Sequence, residues 1–151
     1  MFLVLLGLTL FFGCSHGGVP KDFPPLHPCV ITVIQDGAPL EGASVSLKPL
    51  QSSAMSASGI TDAEGIAVMK VQAAYDGVPE GNYKVLIVKQ TRERNPAVKD
   101  ADSREEVSAE FRDREYIVTD FVHPKFGNAA QTPLEIQIQS GKNEHTFEVT
   151  K

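Results

Sequence analysis

Four histidines, His16, His27, His123 and His145, are the first candidates for metal or acid–base chemistry in this 151-residue chain. No two stand at the i, i+4 spacing that places a pair on one helix face, and none forms an H-x-H pair. His123 and His145 with a nearby carboxylate are the one combination that a fold would have to assemble. Asp62, Glu64, Asp76 and Glu80 are candidate calcium ligands, but they do not follow the EF-hand loop spacing. Their neighbours are glycines, so turn chemistry accounts for them first. Serines are plentiful, yet no Gly-x-Ser-x-Gly elbow is present to raise one as a nucleophile. The residues therefore predict no catalytic group, no metal and no cofactor. A small periplasmic metal protein or enzyme using His123 and His145 stands as the alternative.

Cysteine chemistry is more informative. The chain begins Met1-Phe-Leu-Val-Leu-Leu-Gly-Leu-Thr-Leu-Phe-Phe-Gly13-Cys14. This apolar run is shorter than the roughly 20 residues a membrane-spanning helix needs, and has the length of a signal-peptide core. A small residue followed by cysteine at its end resembles a bacterial lipobox. The reading is a lipoprotein signal peptide over 1–13 and lipidation at Cys14, which would give an exported envelope protein attached to a membrane through its lipid anchor. Phe11 stands where that motif usually has Leu, and no Lys or Arg precedes the run. A plainly cleaved signal or a buried N-terminal strand is the alternative. With Cys14 lipidated, Cys29 is a lone thiol buried as a small apolar residue. With Cys14 free, a Cys14–Cys29 disulfide becomes possible in an oxidising compartment.

The rest of the chain must position these groups. Residues 14–28 carry Gly17, Gly18, Pro20, Pro24, Pro25 and Pro28, a composition that predicts a tether. Beyond it the apolar period becomes two. Val30–Ile34, Ala43–Leu47, Ile66–Val71, Tyr83–Lys89, Leu134–Ile138 and Thr146–Val149 read as strands. Asp36-Gly37, Thr61–Gly65, Asp76–Gly81 and Ser140–Asn143 read as turns, and Gln51–Gly59 as a loop. Between the fourth and fifth strands lies a polar insertion at about 91–131. Ser103-Arg-Glu-Glu106 has capping-box spacing, and Val107 and Phe111 would share a helix face, predicting a short helix over about 104–115. Tyr116–Val122 fits either a helix or a strand, with Pro124 as its stop. The sum is an all-β, antiparallel Ig-like sandwich of about six to seven strands with one short helical insertion.

Three pieces in order carry a family resemblance: the stretch from Ile31 to Leu47 containing Asp36-Gly-Ala-Pro-Leu-Glu-Gly-Ala43, then Thr61-Asp-Ala-Glu-Gly65, then Pro79-Glu-Gly-Asn-Tyr-Lys-Val85. They resemble the carboxypeptidase regulatory-like, or transthyretin-like (prealbumin-like), β-sandwich. The ending Pro133–Val149 is similar to that of small exported lipoproteins built from one such domain. The resemblance implies a structural role for Gly37, Pro39, Gly42, Asp62, Gly65, Gly81 and Tyr83 rather than a catalytic one. Pro39 and Gly42 would shape the first hairpin, Gly65 and Gly81 tight turns, and Tyr83 a buried ring with its hydroxyl on a backbone group. Two enzyme classes share a related sandwich. Tyr75, Tyr83 and Tyr116 do not form the Tyr/His cluster of intradiol dioxygenases, and the terminal Phe147-Glu-Val-Thr-Lys151 lacks the closing motif of hydroxyisourate hydrolases.

The net charge of −5 argues against nucleic acid, which requires a basic face. The expectation is a non-catalytic, membrane-tethered binding or structural module of the cell envelope with a protein or carbohydrate partner, or an accessory subunit of an envelope complex. The insertion, with Arg92, Glu93, Arg94, Lys99 and Asp100, is the segment suited to a partner contact or to covering a sheet edge.

Overall fold

Alternation decides which side chains meet. Cys29, Ile31 and Val33 are buried while Val30, Thr32 and Ile34, one step away, lie on the outer face. Val45 and Leu47 oppose Ser44, Ser46 and Lys48 in the same way, as Tyr83, Val85 and Ile87 do Lys84, Leu86 and Val88. Two such half-apolar layers hide their inner faces only by stacking, each fully buried aliphatic side chain contributing about 1.5–3 kcal/mol. A computed structural model of the chain describes residues 19–51, 54–95 and 116–151 and has this β-sandwich architecture.

The strands are β1 (Leu26–His27), β2 (Cys29–Gln35), β3 (Ala38–Pro39), β4 (Ser44–Pro49), β5 (Ala57–Ile60), β6 (Ile66–Val68), β7 (Lys70–Val71), β8 (Tyr75–Asp76), β9 (Val78–Pro79), β10 (Gly81–Val88), β11 (Gln90–Arg94), β12 (Tyr116–Asp120), β13 (Glu135–Ile138) and β14 (Asn143–Val149), with a single 3-10 turn at Pro124–Gly127 among the described residues. One layer has the order β13-β10-β4-β5-β7-β8. The other has β14-β2-β3, with β6 also paired to β2. Among the described residues pairing is antiparallel except between β14 and β2, which run parallel from Asn143↔Cys29 to Val149↔Gln35.

Several short elements differ from the expectation. Ala57–Ile60, whose first three residues fall in the stretch read as loop, is a strand between β4 and β7. Its Gly59 passes so close to β6 that a Cβ there would lie 2.7 Å from the Val68 carbonyl oxygen. The run Ile66–Val71 is not one strand. It changes layer at Met69: β6 pairs with β2 and β7 with β5, while Ala67, Met69 and Val71 all stay buried. The end of the expected tether is docked: Leu26–His27 pairs with Val78–Pro79, and the Phe23 ring meets Tyr75 edge-on at 5.3 Å.

The turn residues act through the backbone. Asp36 and Gly37 both have positive φ (52° and 78°) and join β2 to β3 as a type I′ hairpin. Pro39 lies in β3 opposite Ile34, beside that turn rather than within it. Asp62 Oδ1 accepts the N–H groups of Glu64 (3.1 Å) and Ile66 (2.8 Å), an Asx turn. Behind it the buried Thr61 hydroxyl donates to Leu40 O (2.6 Å) and accepts from Ala43 N–H (2.8 Å). Gly81 opens β10 with the Tyr83 ring beside it. Tyr83 is fully buried, and its hydroxyl donates to Pro79 O at 3.0 Å, stitching β9 to β10.

Candidate functional site

Among the described residues the candidate chemical groups do not converge, and His16 lies outside them. His27 is half-buried in β1, with Nδ1 accepting the Gly141 N–H (3.2 Å) and Nε2 facing Glu80 Oε1 (3.2 Å). His123 Nδ1 accepts the Lys125 N–H (3.2 Å), capping the 3-10 turn. The His123 backbone N–H donates to Thr150 O (2.8 Å). His145 lies five residues back from Thr150, about 16 Å at strand rise. It stacks on Phe147 at 6.5 Å, and its Nε2 is buried with no hydrogen-bond partner among the described residues. One metal ion holds imidazole nitrogens at about 2 Å, so His123 and His145 do not share one. Asp62 serves its turn, Asp76 pairs with Lys70 (2.8 Å) and Glu80 with His27. Among the described residues no group of three or more His, Cys, Asp or Glu is placed to hold a metal. Cys29 is a buried free thiol whose pKa burial pushes up to about 11, so at neutral pH it stays protonated and unreactive. Cys14 lies outside the described residues.

The sandwich has two distinct poles. The chain arrives at one of them. Leu26–His27 lies beside the start of β10, and Pro28 O accepts the Asn143 N–H (2.9 Å). Eight residues of β10 then carry the chain about 25 Å to the other pole. There β10 gives way to β11, which pairs antiparallel with β12 from Gln90↔Asp120 to Arg94↔Tyr116. This two-stranded ribbon belongs to neither layer. Every residue of β11 is exposed, as is β12 beyond Tyr116.

The ribbon's root is anchored. Gln35 Nε2, at the end of β2, donates to Phe121 O (2.7 Å). Phe121 N–H donates to Lys89 O (2.8 Å). Val122 and Phe126 are buried, and a Cβ on Gly127 would lie 2.7 Å from Val88 Cγ2. The insertion expected over 91–131 is therefore two things: a projecting ribbon, and a segment from Val122 onward that closes the end of the core. Tyr116–Asp120, open between helix and strand, is a strand; Pro124 does not stop it but opens the 3-10 turn, its ring tolerated where no amide partner is needed. The helix expected over 104–115 lies outside the described residues.

Cations and aromatic rings meet repeatedly here. Arg92 sits 4.0 Å from the Tyr116 ring centroid, Lys89 5.7 Å from Phe121 and Lys125 4.8 Å from Phe126. Register puts Arg92, Tyr116 and Val118 on one face of the ribbon, and Glu93 and Ile117 on the other. Ile117 and Val118 are 49% and 51% exposed. At the ribbon's foot lies a hollow of about 270 Å³ lined by Gln90, Asp120, His123 and Asn128. Composition hid this site, because a charged run such as Gln90–Arg94 carries no period-two apolar signal. The usable signal was Tyr116-Ile-Val-Thr119, a β-branched run opposite it.

These features define a β-sandwich with a projecting β-ribbon opposite the point where the chain arrives. No family model matches the chain, and no curated protein matches it. Among solved structures, the chain is similar to the major pilin subunit of Bacillus cereus, with 14% identity over 85% of this chain and a TM-score of 0.47. The match spans 31% of that pilin's length.

Proposed function

We propose that this protein is a non-catalytic, lipid-anchored module of the bacterial cell envelope, of the transthyretin-like type, whose sandwich holds the ribbon away from the membrane for contact with a protein partner. The carrying observation is the polarity: the chain enters at one pole, and the exposed ribbon projects from the other. Gly13-Cys14 at the end of the apolar run supports the anchor, and the Gly/Pro stretch after it supports a short leash. Bacterial lipoproteins carry more than one acyl chain, and firm attachment takes at least two. The ribbon's Arg92–Tyr116 pair and exposed Ile117 and Val118 support a protein contact, since Arg and aromatic groups dominate interface energetics. The net charge of −5 supports a partner other than nucleic acid.

Excising the ribbon tests this division of labour. Gln90 joined to Asp120 through Asn-Gly is expected to leave the melting temperature within a few degrees of the parent and membrane fractionation unchanged. In vivo cross-links from the envelope protein to its partner are expected to disappear. Retention of the same cross-links by the excised form would place the contact elsewhere on the sandwich.

A further inference from the structure

The two edges of the ribbon are not alike. The β11 edge carries Arg92-Glu93-Arg94, charges of the kind that keep exposed strand edges from pairing. The β12 edge carries Tyr116-Ile-Val-Thr119, rich in β-branched residues, with one charge, Asp120, at its root end, and no described residue pairs with it. Backbone geometry specifies which groups that edge offers. Phe121 N–H bonds to Lys89 O, so the 89/121 pair is a closely bonded one. Antiparallel ladders alternate, so Thr119 and Ile117 also turn inward to β11, while Tyr116, Val118 and Asp120 turn their N–H and C=O groups outward.

We infer that β12 is a self-association edge, pairing antiparallel with β12 of a second copy across a two-fold axis at Val118. A two-fold contact must be self-complementary, and this register is. Val118 faces the partner's Val118 and exchanges both backbone hydrogen bonds with it. Tyr116 faces the partner's Asp120, and Asp120 faces the partner's Tyr116. Each Tyr116 ring carries Arg92 at 4.0 Å, so each Asp120 carboxylate meets a guanidinium across the interface. The outcome is one continuous four-stranded sheet made of two ribbons, with its charged β11 edges outermost. The inference rests on the ribbon being the contact element proposed above, but not on the lipid. If both copies are anchored to one membrane, their effective concentration favours a contact of this small size.

The test uses the full chain with Cys14→Ser, so that the only native thiol is the buried Cys29. Val118→Cys is expected to give a disulfide-linked dimer on mild oxidation, and Thr91→Cys on the other strand is expected to give none. Val118→Pro removes an outward N–H without touching the β11–β12 ladder. It is expected to weaken self-association at least tenfold in sedimentation equilibrium, with an unchanged circular dichroism spectrum. Asp120→Arg is expected to weaken it as well, and adding Arg92→Glu to restore it. A chain that stays monomeric at millimolar concentration, or a dimer indifferent to both Val118→Pro and Asp120→Arg, overturns the inference. A parent chain that never self-associates while its partner cross-links persist overturns it and leaves the excision result, and the function proposed above, standing.

Discussion

Gly65→Ala is expected to lower the unfolding free energy by about 2–4 kcal/mol, whereas Gly42→Ala costs about 1 kcal/mol. Both glycines have positive φ, +74° and +70°. An L side chain in that region carries a similar conformational cost at either place, so surroundings decide the difference. At Gly42 a Cβ would meet nothing within 4 Å. At Gly65 it would lie 2.6 Å from Val33 O and 3.1 Å from Leu40 N, both backbone atoms fixed by the sheet. Relief by shifting the turn would break the 2.8 Å bond from Val33 N–H to Gly65 O, worth about 1 kcal/mol net. It would also pull on the Asp62 carboxylate that holds Glu64 and Ile66. Urea denaturation of both variants measures the contrast. Equal losses would show that conformation alone, not the close approach to β2, makes glycine necessary at 65.

Tyr83→Ala is expected to cost about 3–5 kcal/mol and Tyr83→Phe about 1–3 kcal/mol. The ring is fully buried near the start of β10, and its hydroxyl is bonded to Pro79 O four residues upstream. Phenylalanine keeps the ring but leaves a buried carbonyl without its donor. Alanine removes both and opens a cavity between the layers. Burial, with a smaller push from Cys29, raises the phenol pKa above its ordinary value, so the hydroxyl remains a donor through neutral pH. Against a total stability of about 5–15 kcal/mol, the alanine variant sits near the limit of folding, which thermal melting will read directly. A phenylalanine variant as stable as the parent would remove the Tyr83–Pro79 bond from the account.

How much of this was legible depended on how each segment earns its place. β2, β4, β10, β13 and β14 bury alternate apolar residues, a pattern readable in their own sequences. The turn at Asp62 was legible because the carboxylate acts on its immediate neighbours. β5 was not: Ala57-Ser-Gly-Ile60 has little strand propensity, and it is a strand because its neighbours β4 and β7 supply partners and Gly59 lets β6 approach. The parallel pairing of β14 with β2 joins residues at opposite ends of the chain, and no local pattern encodes it. Asp76–Gly81 read as a turn cluster, yet it holds the end of β8 and all of β9, short pairings that depend on tertiary contacts with β7 and β1. At the candidate site, Tyr116–Thr119 showed β-branched character, but its charged partner Gln90–Arg94 showed none. Val122 and Phe126 looked like part of the same insertion because only packing separates a core plug from a projecting arm.

The account centres on a module anchored at one pole and making contact at the other. Its most direct test is the membrane fractionation of the parent chain beside Cys14→Ser. The parent is expected in the membrane fraction, released by detergent and not by high salt. Cys14→Ser is expected to lose the acyl modification in intact-mass analysis and to leave the membrane. A Cys14→Ser protein that remains membrane-bound with unchanged processing would contradict the anchor, and with it the orientation of the ribbon away from the membrane.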